Sequence, residues 1–139
     1  MIDEGIIKFR SCWKKGPAPT DRHLNAMLAA RSRLHQLKLI GHDSRHNVGY
    51  GNISIRCEPT SSSKGIEFII SGSQTGDIKV ANNAAFSKVT HYDLKQNRVH
   101  SNGPVEASSE SLTHAALYEC DATSKGSCMY TIWSYGNLC

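Results

Sequence analysis

Apolar Ile53, Ile55 and Cys57 alternate with polar Asn52, Ser54 and Arg56. An extended backbone sends successive side chains to opposite faces, so this two-residue period describes a strand buried on one face and wet on the other. A strand cannot stand alone, and the sequence supplies its neighbours at short range. Residues 59–65 are rich in proline, serine and glycine and read as a turn. Beyond it Ile66, Phe68, Ile69 and Ile70 form a mostly apolar second strand, with Glu67 directed to water. Two further strands are expected over residues 89–94 and 98–100, joined at Lys95, Gln96 and Asn97. Ile6, Ile7, Phe9 and Trp13 mark an opening extended segment, closed by Gly16-Pro17-Ala18-Pro19.

Two helices separate these strands. Leu24, Met27, Leu28 and Leu34 keep helical spacing, with Leu37 near the same face and Arg22, Arg31, Arg33 and Lys38 on the wet side. Thr20 or Asp21 can cap its start, and Gly41 is a natural stop. Residues 42–51 read as a polar loop and 71–76 as a glycine and hydroxyl loop. A second helix begins at Ser108 and turns Leu112, Ala115, Ala116 and Tyr118 inward. Strands in short hairpins with separate helices predict a mixed α/β domain, its largely antiparallel central sheet flanked by helices. A chain of 139 residues makes one domain, spanning 1–139, with 1–19 as an N-terminal extension and 122–139 as an atypical tail.

The charge balance narrows the partners. Sixteen Lys+Arg against twelve Asp+Glu leave +4, with no basic stripe, so no nucleic-acid partner is expected. No apolar run approaches the roughly 18 residues of a membrane span. Met1-Ile2-Asp3-Glu4-Gly5 lacks the basic and apolar regions of a signal peptide. Five cysteines without paired spacing read as reduced thiols. Together these predict a cytoplasmic protein.

Three stretches carry groups that chemistry can use. Ser108-Ser109-Glu110 stands at the start of the second helix. Free N–H groups and a partial positive charge favour an anion there, two hydroxyls add donors, and Glu110 can take a proton or meet a metal. The same residues are also ordinary helix-start grammar. In Gly49-Tyr50-Gly51-Asn52, Gly51 lets the backbone approach a ligand and Asn52 adds an amide, although Gly-Asn is also common in turns. Ser71-Gly72-Ser73-Gln74-Thr75-Gly76 can form a nest of N–H groups for a phosphate, or a plain flexible loop. It lacks the lysine of a P-loop and the spacing of a dinucleotide fingerprint. Glu110 and His114, four apart, share a helix face and suit either a metal pair or a core histidine.

In this order, Gly51-Asn52-Ile53-Ser54, then Ile70-Ser71 through Thr75-Gly76, then Ser108-Ser109-Glu110 with His114, the chain resembles the class II aldolase/adducin family. That family includes fuculose-phosphate aldolase and ribulose-phosphate 4-epimerase, and the resemblance covers residues 21–121. It implies that Gly51, Asn52, Thr75, Gly76, Ser108 and Ser109 bind the phosphate of a sugar or similar hydroxy-carbonyl substrate. Glu110 would be the acid/base and would also meet the metal. That metal is zinc or a similar divalent ion, held mainly by three histidines, which polarises the carbonyl and stabilises an enediolate. The family assembles as homotetramers with sites between subunits.

The chain departs from the pattern in three places. The 71–76 loop is longer and has no proline, and Gly49 stands where a hydroxyl residue often serves. Where a His-x-His pair should follow Glu110, residues 128–131 read Cys-Met-Tyr-Thr, and the third ligand does not appear before Cys139. Without these ligands no catalytic zinc site closes, so the chain is expected to be inactive and to hold no catalytic metal. Read one base earlier, the codons for these residues permit His-Val-His. A frameshift near residues 123–126, leaving a C-terminally truncated enzyme, is therefore one expectation, and a genuine shortened paralogue is the other. Truncation would uncover apolar sheet faces and promote association. The sequence thus predicts a metal-dependent aldolase, a lyase of carbohydrate metabolism, by descent. The alternatives are a non-catalytic adducin-like interaction module, or a related sugar-phosphate epimerase or dehydratase.

Overall fold

The computed structural model describes residues 9–121 and 129–132. The chain is a mixed α/β domain. In order it forms β1 (Arg10–Lys15), α1 (Leu24–Gln36), β2 (Gly41–Asp43), β3 (Val48–Tyr50), β4 (Asn52–Arg56) and β5 (Phe68–Ser71). A short 3-10 turn (Asn83–Ala85) leads into β6 (Phe86–Asp93), β7 (Arg98–Gly103), α2 (Ser111–Cys120) and β8 (Met129–Ile132). The main sheet runs β1-β7-β6-β5-β4-β8. Its neighbours pair antiparallel except β1 and β7, which are parallel. No described helix is long and apolar enough to cross a membrane.

The two-residue period sorts the core onto both faces of this sheet. Ile53, Ile55, Ile69 and Phe86 pack with Leu24 and Met27 of α1. Phe68, Ile70, Val89 and Val99 pack with Ala115 and Tyr118 of α2. Each is at most 3% exposed, and burying a side chain of this size is worth about 1.5–3 kcal/mol. The sheet is therefore sandwiched at β4 and β5, and the strand buried on both faces is the apolar run that the sequence shows.

Three local expectations are corrected. Helix α1 does not run to Gly41. It closes at Lys38, whose φ of 59° is left-handed. The Lys38 N–H donates to His35 O and the Leu39 N–H to Leu34 O, at 3.1 and 2.9 Å, which satisfies the terminal carbonyls without a glycine. Residues 42–51 are not loop throughout, because β2 and β3 pair as a hairpin with Asn47 left-handed at its turn. Gly41 stands opposite Tyr50, where any Cβ would lie 2.5 Å from the tyrosine hydroxyl. Helix α2 begins at Ser111 rather than Ser108, which stands in the turn before it. In the tail, residues 129–132 form a strand paired with β4, Ile55 opposite Met129 and Asn52 opposite Ile132. Ile6 and Ile7, the rest of the tail and the expected frameshift point all lie outside the described residues.

Candidate functional site

The first part of the chain to fix the site is Ser71, at the end of β5. Its Oγ accepts from the Ile53 N–H at 3.1 Å and donates to the Ile53 carbonyl at 3.2 Å. Its own carbonyl accepts from the Ser108 N–H at 3.0 Å. The Ser73 N–H then donates to Glu106 O at 2.8 Å, and Gly72 bridges to Ala107. The loop after β5 is thereby fastened to β4 on one side and to the turn before α2 on the other. Residues 49–52, 72–76 and 108–109 meet around one cleft. Gly51, Asn52, Thr75, Gly76, Ser108 and Ser109 all line it, with Tyr50, Ser73 and Gln74 completing the wall.

The lining is polar and uncharged. Gln74 has a left-handed φ of 60°, and its side-chain oxygen accepts from the Gly49 N–H at 3.0 Å. The main-chain N–H groups of Gln74, Thr75 and Gly76 find no acceptor among the described residues. Successive unpaired N–H groups at a left-handed residue are the ingredients of an anion nest. The Thr75 hydroxyl donates to Gly72 O at 2.9 Å, so it closes the turn. Ser108 Oγ donates to Asn52 Oδ1 at 2.5 Å and accepts from the Glu110 N–H at 3.2 Å. That bond occupies the oxygen of the Asn52 amide and leaves its NH2 as a donor. The Ser109 hydroxyl has no partner among the described residues.

Two glycines of the cleft are demanded by the fold. Gly51 has a φ of +78°, and a Cβ there would stand 2.2 Å from Leu39 O. A Cβ on Gly76 would stand 2.0 Å from Gly41 O. Gly76 lets the loop close against the hairpin β2–β3, and Gly51 lets the chain pass close to residues 39–40 before β2, needs that exist with or without a ligand.

Glu110 is not among the cleft's lining residues. It occupies the N-cap position of α2, half-buried, and its carboxylate accepts from the Thr113 hydroxyl at 3.1 Å. His114, one turn on, points into the core. It is 0% exposed, with Nδ1 2.7 Å from Ser54 Oγ, which also lies 2.7 Å from the Tyr118 hydroxyl. Burial pushes its pKa down to about 3, so it is neutral in the folded protein. Of the two readings of this pair, the core histidine is the one seen. No group of three or more His, Cys, Asp or Glu side chains among the described residues could hold a metal ion.

The chain matches no family model, no curated protein and no solved structure. The site must therefore be judged on its own groups. Among these, Arg31 is the one that sequence reasoning misplaced. Expected on the wet side of α1, it is 1% exposed and reaches under the loop to the carbonyls of Thr75 and Ile78. The signal was its spacing. Position 31 falls four after Met27 and seven after Leu24, on the buried stripe of the helix.

Proposed function

We propose that the cleft binds the phosphate of a phosphorylated sugar or similar hydroxy-carbonyl compound, in a domain of class II aldolase/adducin type. The observation that carries this reading is the convergence of three stretches of sequence, around residues 51, 75 and 108, on one polar cleft. Each stretch alone is ordinary turn or cap chemistry. Together they offer consecutive N–H groups, an amide and a hydroxyl, and a tetrahedral oxyanion takes several such donors at once. Glu110 next to Ser109 is the acid/base candidate of a lyase by descent; the intact family works as a homotetramer with a divalent metal, and this chain is the inactive form of such an enzyme.

A second reading is a non-catalytic interaction module. It is favoured by Glu110, whose carboxylate is bonded to Thr113 and stands outside the cleft lining. Epimerase and dehydratase readings use the same phosphate site. The test is calorimetric titration with inorganic phosphate and with phosphoglycolate, each with and without zinc. Binding near millimolar Kd or tighter, about 4 kcal/mol or more, supports the cleft reading. Zinc-dependent cleavage of a sugar phosphate supports the lyase, and zinc-independent binding without turnover supports the module. No binding of either anion sinks the cleft reading. The frameshift proposal is tested in the coding DNA across residues 121–139. His-x-His one base earlier supports it, and an early stop in that frame refutes it.

A further inference from the structure

We propose that Arg31 is the positioning residue of this anion site, acting through the Thr75–Gly76 peptide to aim the Gly76 N–H into the cleft and strengthen it as a donor. The inference rests on the reading of the cleft as an anion site.

The geometry is that of a planar peptide. Its C=O and N–H point in opposite directions when the bond is trans, and the described residues contain no cis peptide. Arg31 Nη2 donates to the Thr75 carbonyl at 2.9 Å from the α1 side. The N–H of the same peptide unit belongs to Gly76, and it must point the other way. Gly76 lines the cleft, and its N–H has no acceptor among the described residues. The Thr75 carbonyl is held a second time by the Ile78 N–H at 3.1 Å, and Arg31 Nη1 donates to Ile78 O at 2.8 Å. One guanidinium thus grips both ends of the turn, and a carbonyl that accepts from a cation polarises its own peptide, so the N–H on the far side becomes a better donor.

A loop tether alone does not require this arrangement. Position 31 lies on the apolar stripe of α1, beside Leu24 and Met27, where an apolar side chain would pack without the cost of burying a charge. Burial lowers the Arg31 pKa, and the exposed carboxylate of Asp77 opposes that shift, so the counter-charge comes from the loop's outer side. Among the described residues no cationic side chain lines the cleft, so the Arg31 charge stands behind the wall that residues 72–76 form.

The experiment is a titration of the 15N-labelled full chain with inorganic phosphate, read at the Gly76 amide, for wild type, Arg31→Lys and Arg31→Met. The lysine variant keeps the charge but holds one carbonyl at a time, so it keeps the test valid where the methionine variant fails to fold. In the wild type, phosphate should shift the Gly76 and Ser109 amides saturably. Arg31→Lys, still melting cooperatively, should move the free-state Gly76 amide proton and weaken phosphate by about tenfold, the size of one charge-assisted hydrogen bond. Arg31→Met, if folded, should weaken it further. Wild-type binding that is unchanged in a folded Arg31→Lys, with the Gly76 resonance unmoved, would show a plain tether and overturn the proposal while leaving the cleft reading intact. Absence of any wild-type phosphate shift would overturn both.

Discussion

Acidification from pH 7 to pH 5 should cost this fold about 2 kcal/mol through one residue, His114. The side chain is fully buried, and burial holds its pKa at about 3. In the unfolded chain an imidazole titrates near 6.5. Below that value the unfolded state takes up a proton that the folded state refuses. It binds more protons, and stability falls with pH from about 6.5 down to about 3, the full contribution being present only above 6.5. Each unit inside this window is worth about 1.4 kcal/mol, and pH 5 lies about 1.5 units into it. Against a total of about 5–15 kcal/mol for an ordinary domain, that loss is easily measured. Urea unfolding followed by circular dichroism at pH 7, 6 and 5 should therefore be run on wild type and on His114→Asn, which keeps a polar partner for Ser54 and does not titrate. The half-buried Asp43 carboxylate, held low by its hydrogen bond from His46, is common to both proteins and cancels. The wild type should lose about 2 kcal/mol more than the variant. If the two fall in parallel, His114 titrates as a solvated histidine and its place in the core is refuted.

Gly51→Ala should destabilise by about 2–5 kcal/mol, from the positive φ and the contact with Leu39 O, and lower Tm by roughly 10 °C. Gly65→Ala, with nothing within 4 Å of its Cβ, is the control and should melt within a degree or two of the wild type. Cys57, whose thiol burial pushes up to about 11, should react with an aromatic disulfide reagent at pH 8 roughly a hundredfold more slowly than the exposed Cys120, measured peptide by peptide in a mass spectrometer. Equal rates at the two sites would mean that the half-buried Cys57 thiol is not shielded from solvent.

The parts of the fold that were legible in the sequence are those where one period governs. Strands β4 to β7 follow alternation or an unbroken apolar run, and burial on a sheet face enforces it. The hairpin β2–β3 was hidden because its three-residue strands offer only Val48 and Tyr50 as apolar members, too few to show a period. The end of α1 was misread because Lys38 takes the left-handed position that glycine usually fills, and tertiary closure outweighs the local cost. Arg31 was misread because its type outvoted its spacing. The cleft was legible as three fragments, since glycine, serine and asparagine announce special backbone geometry. Their meeting depends on Ser71 bonding to β4 and to the α2 turn at once, which no local pattern reveals.

The fold's own claims on the cleft decide which substitution can test its function. Gly51 and Gly76 would clash with backbone if they carried a Cβ, so a loss of binding in their variants reports on folding first. Thr75 closes its own loop, and Ser108 ties Asn52 to the start of α2. Ser108→Ala should therefore cost about 1–2 kcal/mol of stability together with any loss of affinity. Ser109 differs. The residue lines the cleft, and its hydroxyl bonds to nothing among the described residues. Ser109→Ala should leave the urea midpoint within about 0.5 kcal/mol of the wild type. In the same sample it should weaken inorganic phosphate by about three- to tenfold, the worth of one neutral hydrogen bond. Affinity lost at constant stability is the signature of a group kept for a ligand. If Ser109→Ala binds phosphate as the wild type does, the hydroxyl is a spectator and the helix-start grammar explains residues 108–110 without a ligand.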